Sequence, residues 1–276
     1  VITNIGTSHI GILGSRENIL KAKLEILEGL NKSGELIINN DNDLLHEWAK
    51  NEKIVENIKT YGINEKSDYM AYNIKLNENG SNYNINISNE TYEITVPVSG
   101  EHFVYNSLCA IAVGLYFNIK MSDIIIGISN FSLTKKRMEI IKTKFGVLIV
   151  NDCYNASYDS MKAAIEYLST LQGRKIAILG DMLELGNFSE QLHKKVGYEV
   201  AINKIDILIC IGEEAKNIAI EAIEQKMDKD NIYQFNNKEE AINFIKNILK
   251  SGDSILVKAS NSMRFDEITN KIVELK

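Results

Sequence analysis

The chain has 276 residues, 45% of them hydrophobic and 25% charged, which is ordinary for a globular protein and long enough for two domains. Its formal net charge of −6 argues against nucleic-acid binding, because neutralising phosphates requires a basic surface. The sequence has no secretory signal pattern and no apolar run approaching the roughly 20 residues that cross a bilayer, so we expect no membrane insertion. Three scattered cysteines without a C-x-x-C pair favour reduced thiols and a cytoplasmic location.

The beginning of the chain predicts a strand, a loop and a long helix. The sequence opens at Val1 without a methionine, as if partway along a strand over 1–5, and we expect a fragment of a longer polypeptide. A loop over 6–11 leads to a helix over 15–30, for which Ser15 is the predicted N-cap.

The rest of the first half mixes helices with alternating segments. Polar and apolar residues alternate over 69–97, which predicts an antiparallel hairpin or meander with a turn at Asn79-Gly80 and an end at Pro97. The other predicted elements, in chain order, are a strand over 36–38, a polar turn over 39–43, and helices over 102–116 and 122–128.

A short, polar and basic segment over 131–137 predicts a boundary between two domains, 1–136 and 137–276. Beyond it, strand and helix patterns alternate, which predicts a parallel, doubly wound, Rossmann-like sheet. The predicted strands lie near 147–151, 175–180, 206–211, 231–234 and 254–258. The predicted helices lie near 157–171, 188–202, 213–226, 237–249 and 262–274.

Two acid-bearing loops follow buried strands of this second half, over 151–157 and 180–186. Asp152 and Asp181 would lie at the carboxyl ends of neighbouring strands, where open α/β sheets place their ligands. Asp152 could accept hydrogen bonds from ribose hydroxyls. The structural alternatives are a loop cap for Asp152, a turn residue for Asn155, and solvated loop acids for the acids of the second loop.

Lys23 lies in the middle of an apolar helical stripe formed by Ile19, Leu20, Ile26, Leu27 and Leu30. A lysine there must extend its ammonium to the rim, pair, or lose its charge. An uncharged lysine can react with carbon dioxide, and the carbamate that forms is equivalent to a metal-binding carboxylate. His9, in the preceding loop, is either a loop hydrogen-bonding residue or a ligand that helps hold Mg²⁺.

Three further residues could contact a nucleotide. His102 and Asn106 lie one turn apart at a helix start, and an asparagine can pair with an adenine edge. Arg137 is either a surface charge or a nucleotide contact at the domain boundary. The sequence contains no G-x-x-x-x-G-K-[ST] segment, so we expect no ATP hydrolysis by a P-loop within these residues.

Together these motifs resemble the Mur ligase family of peptidoglycan synthesis. The resemblance is carried by segments along nearly the whole chain: 2–9, 22–26, 100–106, 137–139, 151–156, 180–186 and 258–263. It implies the remainder of a central ATPase domain, with a mixed sheet that has an antiparallel part, followed by a C-terminal domain that binds the incoming amine. The segment over 180–186 points to the member that joins D-alanyl-D-alanine to UDP-N-acetylmuramoyl-tripeptide.

The resemblance implies ATP and Mg²⁺ as cofactors and an acyl phosphate intermediate. We further expect a monomer. The resemblance also implies three groups of site residues, for metal and catalysis, for nucleotide, and for the amine substrate. These are respectively His9 and Lys23 as its carbamate; His102, Asn106, Arg137 and Asp152; and Asn155, Asp181 and Glu184.

The sequence departs from the family pattern in several places. Phe103 replaces an asparagine, Ser157-Tyr158 replaces Asn-Pro, and the segment 259–261 lacks the usual arginine. The family's N-terminal UDP-binding domain and P-loop are also not found in these residues, so we expect this chain to be inactive alone. Two alternatives are a related amide ligase with another amino-acid substrate, and a non-catalytic binding protein that keeps the scaffold.

Overall fold

The computed structural model describes residues 1–51, 57–77 and 80–275, and the chain divides into two compact units. The first unit contains Val1–Gly6 and Leu13–Ser132, and the second contains Thr7–Ile12 and the chain from Leu133 onward. A short segment near the start of the sequence therefore belongs to the second unit. Of the predicted Asn79-Gly80 turn, Asn79 lies outside the described residues.

The first unit is built on a five-stranded mixed sheet in the order β1-β2-β3-β4-β5. β1 to β3 are parallel, and β3 to β5 form an antiparallel meander, so the predicted mixed sheet is confirmed. The strands are β1 (Leu36–Asn39), β2 (Ile58–Gly62), β3 (Tyr69–Asn77), β4 (Gly80–Ile87) and β5 (Glu90–Val96). The helices are α1 (Ile10–Leu13), which spans the two units, α2 (Arg16–Leu24), α3 (Asp43–Asn51), α4 (Glu101–Tyr116) and α5 (Met121–Ser129).

Alternation along the meander places one face of its strands against α4. Tyr83, Ile85 and Ile94 are each at most 1% exposed, as are Val104 and Leu108 of the helix. The Tyr83 hydroxyl lies 2.7 Å from the Ser107 hydroxyl within this core, so the one polar group of the large aromatic side chain is satisfied.

The predicted start of the chain differs from the structure in two ways. The strand over 1–5 is a single bridge between Ile2 and Ile38. The helix over 15–30 has the predicted Ser15 cap, but its α-helical part ends at Leu24 and a 3₁₀ turn continues it. The tighter turn rotates the later side chains away from the stripe, and Ile26 is 56% exposed.

The polar turn after β1 is shorter than predicted and leads directly into α3, which the sequence analysis missed together with β2. The Asn42 side chain accepts a hydrogen bond from the backbone N–H of Leu45 at 3.2 Å. Asparagine in this position is a helix-starting signal, and the predicted turn therefore contained the start of a helix.

The second unit is a doubly wound sheet in the order β10-β9-β8-β11-β7-β6. Its strands are β6 (Glu139–Lys142), β7 (Leu148–Asn151), β8 (Lys175–Gly180), β9 (Ile207–Ile211), β10 (Ile232–Phe235) and β11 (Ser254–Lys258). Its helices are α6 (Tyr158–Thr170), α7 (Ser189–Ile202), α8 (Lys216–Glu224), α9 (Lys238–Ile248) and α10 (Asp266–Val273). The predicted alternation is confirmed, with β6 added as an antiparallel edge strand.

One prediction about this sheet was wrong. β11 lies between β7 and β8, so Asp152 and Asp181 do not follow neighbouring strands. The crossover connections decide strand order, and each of these strands is equally apolar, so periodicity could not reveal the insertion. β9 and β11 are buried along their whole length, as expected for strands covered by helices on both faces.

Among the described helices, none has both the length and the apolar composition that crossing a bilayer requires.

Candidate functional site

Three loops meet at the carboxyl edge of the second sheet, following β7, β8 and β11. The backbone N–H of Asp152 donates to the Val257 carbonyl at 3.0 Å, which joins the first loop to the third. Ser260 joins the third loop to the second: its N–H donates to the Asp181 carbonyl at 3.1 Å, and its hydroxyl accepts from the Leu183 N–H at 2.9 Å. Although β11 separates the two acid-bearing strands, it also links their loops.

Asp152 is held by a buried lysine that the sequence analysis missed. Its Oδ2 accepts from Lys258 Nζ at 2.5 Å and its Oδ1 accepts from the Met138 N–H at 3.0 Å. The Asp152 side chain is 14% exposed, and the Lys258 side chain 2%. Burial lowers the pKa of Lys258, and the Asp152 carboxylate opposes that shift. A charged residue directly after the apolar run Ile255–Val257 was the available signal.

Arg137 lies against the same loop as Asp152. The Tyr154 N–H donates to the Lys136 carbonyl at 3.0 Å, so the segment containing Arg137 runs beside the loop. The Arg137 guanidinium carbon is 4.0 Å from the Tyr154 ring centroid, a cation–π contact on the exposed side. The next residue, Asn155, is exposed, and its side-chain oxygen accepts from the Ala156 N–H at 2.9 Å. The structure thus brings three predicted site residues together.

Asp181 is turned inward, so the alternative of a solvated loop acid is wrong for it. Its Oδ1 accepts from the Ala215 N–H at 2.7 Å, and burial raises the pKa of this carboxyl. A Cβ at Gly212 would lie 2.4 Å from the same oxygen, so only glycine allows this approach. The Asp181 side chain therefore links the loop after β8 to the loop after β9.

His193 is a second polar residue that the sequence analysis missed. It is fully buried in α7; its Nε2 accepts from the Met182 N–H at 2.9 Å, and its Nδ1 lies 2.8 Å from the Ser189 carbonyl. Burial lowers the pKa of the imidazole, which favours the neutral tautomer with the proton on Nδ1. The ring fixes the backbone one residue after Asp181.

Glu184, on the same loop, contacts the segment 7–12. The Gly11 N–H donates to the Glu184 carbonyl at 3.0 Å, and the His9 Nδ1 contacts the Glu184 carboxylate. Both side chains are more than half exposed, at 59% for His9 and 54% for Glu184. A Cβ at Gly11 would lie 2.4 Å from the Gly186 nitrogen, so the two backbones pack directly on each other. This contact leaves Nε2 as the imidazole nitrogen not used by Glu184.

In the first unit, Lys23 is exposed, and the apolar stripe predicted around it does not form a continuous buried face. Of the apolar residues in α2, only Ile19 is buried, because the helix tightens after Leu24. Lys23 Nζ nevertheless donates to the Asn4 carbonyl at 2.6 Å, and desolvation lowers the pKa of the ammonium. That direction is the one that carbamate formation requires.

Asn106 is exposed on α4 beside a cavity of about 430 Å³. The cavity lies between α4 and α5, and its walls are mostly apolar, with the rings of Phe103 and Phe131 6.2 Å apart. His102 is half-buried, and its ring centroid is 4.1 Å from that of Phe103. The aromatic residue that departs from the family pattern therefore forms a wall of this cavity.

Asp41 was predicted only as part of a polar turn, yet it organises the carboxyl edge of the first sheet. Its carboxylate accepts from the N–H groups of Ile63, Asn64 and Glu65 at 2.6, 3.0 and 2.6 Å, and from the Tyr105 hydroxyl at 2.7 Å. Tyr105 precedes Asn106 on α4, so Asp41 ties the loop after β2 to the helix that carries the predicted nucleotide contacts.

Comparison with known proteins gives consistent matches for both halves of the chain. Residues 1–114 match the family described as the Mur ligase middle domain, and residues 136–261 match the Mur ligase, glutamate ligase domain. The chain is 40% identical to the UDP-N-acetylmuramoyl-tripeptide–D-alanyl-D-alanine ligase of Bacillus subtilis (strain 168), covering 99% of this chain and 59% of that protein. It thus spans about three fifths of the length of that relative.

Solved structures show the same fold. The crystal structure of MurF from Acinetobacter baumannii superposes with a TM-score of 0.87 at 27% identity, covering 99% of this chain and 60% of that one. The MurF ligase from Thermotoga maritima, solved in complex with ADP, superposes with a TM-score of 0.83 at 22% identity, covering 99% of this chain and 61% of that one.

Proposed function

We propose, from the premise that the chain belongs to the Mur ligase family, that it forms part of an ATP-dependent ligase that joins D-alanyl-D-alanine to UDP-N-acetylmuramoyl-tripeptide. The observation that carries this proposal is the group of Arg137, Asp152 and Asn155 around one loop at the carboxyl edge of the second sheet. Family membership and a polar site at the expected sheet edge support the same activity.

The proposed reaction forms an amide through an acyl phosphate. ATP phosphorylates the carboxylate of the tripeptide precursor, and the amine of D-alanyl-D-alanine attacks the activated carbonyl through a tetrahedral intermediate. That attack forms the carbon–nitrogen bond; collapse of the intermediate then breaks the bond from the carbonyl carbon to the phosphate oxygen and releases phosphate, and loss of a proton from the nitrogen leaves the amide, while ADP remains from the first step. We take residues 1–136 as a partial ATP-binding domain and 137–276 as the domain that binds the incoming amine.

The nucleotide contacts follow from the chemistry of the side chains. Asn106 can present both an amide oxygen and an N–H to an adenine edge, beside an apolar cavity suited to a flat base. Asp152 retains lone pairs for ribose hydroxyls, because two donors from the described part of the chain occupy its carboxylate. Arg137 supplies a positive charge that phosphate oxygens would attract, and His102 lies at the same helix start as Asn106.

The amine substrate requires acceptors for its ammonium group, and the loop after β8 offers one. Glu184 is exposed and negatively charged, and Asn155 is exposed on the loop after β7. Asp181 contributes indirectly: its carboxylate accepts from the Ala215 N–H and so holds the loop that carries Glu184. We propose that Glu184 and Asn155 face the dipeptide and that Asp181 shapes their surroundings.

Mg²⁺ would neutralise phosphate charge in this reaction. Among the described residues, no group of three or more His, Cys, Asp or Glu side chains could hold a metal ion. A magnesium ion bound to ATP keeps waters and phosphate oxygens, so one or two protein ligands suffice. We propose His9 and Lys23 as those ligands, Lys23 as its carbamate.

Lys23 can be tested separately. We expect Lys23→Ala to reduce the turnover of the full-length protein at least a hundredfold, on the order of 3 kcal/mol of transition-state stabilisation. Depleting bicarbonate should lower wild-type turnover, and adding it back should restore activity. Turnover that is insensitive to bicarbonate would show that Lys23 acts without a carbamate.

The main experiment measures phosphate release by the full-length protein with ATP, UDP-N-acetylmuramoyl-tripeptide and D-alanyl-D-alanine, with mass spectrometry of the product. Release should require all three substrates, and the product should contain one added dipeptide. Release with a single amino acid in place of the dipeptide would favour a related Mur-type ligase. Nucleotide binding without release under any of these conditions would favour a non-catalytic binding protein.

We further propose a monomer in the cytoplasm without a nucleic-acid partner. The three cysteines are free thiols, and the net charge of −6 disfavours phosphate backbones. Light scattering during size-exclusion chromatography tests the oligomeric state, and a dimer mass would overturn that part of the proposal.

A further inference from the structure

We propose that Lys258 is a positioning residue of the nucleotide site, which acts through Asp152 and the loop 152–155. The inference rests on the proposed function, because it assigns a cause to the placement of the residue that we expect to contact the ribose. Lys258 is the last residue of β11 and is 1% exposed. It is too deeply buried to contact a substrate, so any effect on nucleotide binding must pass through its neighbours.

All three hydrogen bonds of the Lys258 ammonium end on one loop. Nζ donates to Asp152 Oδ2 at 2.5 Å, to the Asn155 carbonyl at 3.0 Å and to the Asp152 carbonyl at 3.4 Å. An ammonium has three donors, and this loop supplies an acceptor for each. Lys258 therefore fastens both ends of the loop to the end of β11.

Of the two residues between these attachment points, Cys153 is buried and Tyr154 faces outward. Tyr154 is 47% exposed, and its ring lies under the Arg137 guanidinium. Fastening the ends of the loop from below fixes the outward position of Tyr154, and with it the surface on which Arg137 rests. One buried cation thus sets the placement of several groups that we expect to meet the nucleotide.

The burial of Lys258 makes this placement stiff. A buried cation without its counter-ion is costly, so a loop conformation that moves Asp152 away would leave a charge unpaired in the interior. The Met138 N–H holds the second oxygen of Asp152 at 3.0 Å, so the carboxylate cannot simply turn. Its remaining lone pairs are left in a fixed direction, a form of preorganisation for a hydroxyl donor.

The same strand provides a matched control. Directly before β11, Asp253 is 3% exposed and accepts two hydrogen bonds from Arg174, at 3.0 and 2.7 Å. This ion pair, whose carboxylate is buried and whose guanidinium side chain is 28% exposed, lies at the amino edge of the sheet, away from the three loops of the candidate site. Removing its cation should cost stability in a comparable way without reaching the nucleotide.

The experiment compares Lys258→Met and Arg174→Met in the full-length protein, with steady-state kinetics and calorimetric titration of ADP. We expect Lys258→Met to raise the KM for ATP and the Kd for ADP about tenfold, with kcat and the KM for D-alanyl-D-alanine within about twofold of the wild type. Arg174→Met should lower the melting temperature but leave both nucleotide constants unchanged. Equal nucleotide constants in wild type and Lys258→Met, or an equal rise in Arg174→Met, would overturn the inference.

A double variant covers the case in which Lys258→Met does not fold. Asp152→Asn with Lys258→Met removes both buried charges, and we expect it to fold with the nucleotide constants of Asp152→Asn alone. Nucleotide binding weaker in the double variant than in Asp152→Asn alone would mean that Lys258 does not act through Asp152, which overturns the inference. If the wild type binds ADP but forms no dipeptide product, the proposed substrates fail, while the ADP titrations still decide the role of Lys258.

Discussion

Asp41 in the first unit and Asp152 in the second occupy equivalent places, since each follows a parallel strand at the carboxyl edge of its sheet, yet their carboxylates are satisfied in opposite ways. Asp41 accepts from three backbone N–H groups and one tyrosine hydroxyl. A carboxylate offers about four acceptor sites, and these four donors, three on Oδ2 and one on Oδ1, leave Asp41 little capacity for a ligand. Asp152 accepts from one N–H and one buried ammonium and keeps capacity for a ligand. The carboxylate of Asp41 therefore stabilises the fold, whereas the carboxylate of Asp152 can also bind a ligand.

The largest expected effect is the loss of folding stability when the Asp41 carboxylate is replaced. Asp41→Asn replaces one carboxylate oxygen by an N–H₂ group that faces backbone donors, and several charge-assisted hydrogen bonds are lost together. We expect the free energy of unfolding to fall by about 4 kcal/mol, measured by urea denaturation. Glu47→Gln, at an exposed residue on α3, should change it by less than about 0.5 kcal/mol. A loss below about 1 kcal/mol would mean that water replaces these bonds.

Asp152→Asn should lower the free energy of unfolding somewhat less than Asp41→Asn. Unlike that variant, it should regain stability when a second residue is also changed. Asp152→Asn leaves the Lys258 cation unpaired, for which we expect a loss of about 3 kcal/mol in the free energy of unfolding. Adding Lys258→Met should recover most of that stability, because the buried charge is then gone. The matching measurement is a double-mutant cycle by urea unfolding, and a further loss in the double variant would show that the two charges are stabilised separately.

A smaller effect is expected in how the free energy of unfolding changes with pH through the Asp41 carboxyl. Burial alone would raise the pKa of this carboxyl, but its backbone N–H donors and the Tyr105 hydroxyl hold the pKa below the ordinary value. The folded pKa is thus lower than the unfolded one, so Asp41 stabilises the protein above the unfolded value of about 3.9 and loses this contribution as the pH falls through the folded pKa. Wild type should therefore lose stability more steeply than Asp41→Asn in unfolding curves below about pH 4. Parallel curves for the two proteins would show that the donors do not favour the charged form.

The smallest effect concerns the exposed side of the Asp152 loop. Tyr154→Leu removes the cation–π contact with Arg137, worth about 0.5–1 kcal/mol at an exposed position. We expect about a threefold rise in the KM for ATP and an unchanged melting temperature. Tyr198→Leu, a comparably exposed tyrosine on α7, is the matched control and should leave both values unaltered.

The sequence was sufficient for the elements but not for their order or their long-range partners. The second half alternates apolar runs with amphipathic helices, so every strand from β7 to β11 could be predicted. The position of β11 between β7 and β8 depends on crossovers that periodicity does not record. Lys258 and Asp152 are separated by 106 positions, and a lysine at a strand end does not identify its acceptor.

The predictions that failed in the first unit failed for reasons that can be named residue by residue. The stripe around Lys23 assumed a regular helix to residue 30, whereas the 3₁₀ turn over Glu25–Gly29 changes the period from 3.6 toward 3 residues per turn. Asp41 was recognised as a turn residue, but its four donors come from two other parts of the chain. Such convergence is a property of the fold and leaves no signal in a single sequence.

The close contact of Gly11 with Gly186 has a consequence for anyone who divides this protein. Residues 7–12 lie far from Leu133 in sequence but belong with the second unit in space. A cut at the boundary near residue 133 would divide the chain but would leave residues 7–12 on the wrong fragment. A second unit produced alone would therefore lack the six residues that cover its loop after β8. Supplying them as a synthetic peptide would complement a split protein at a surface where the backbones touch.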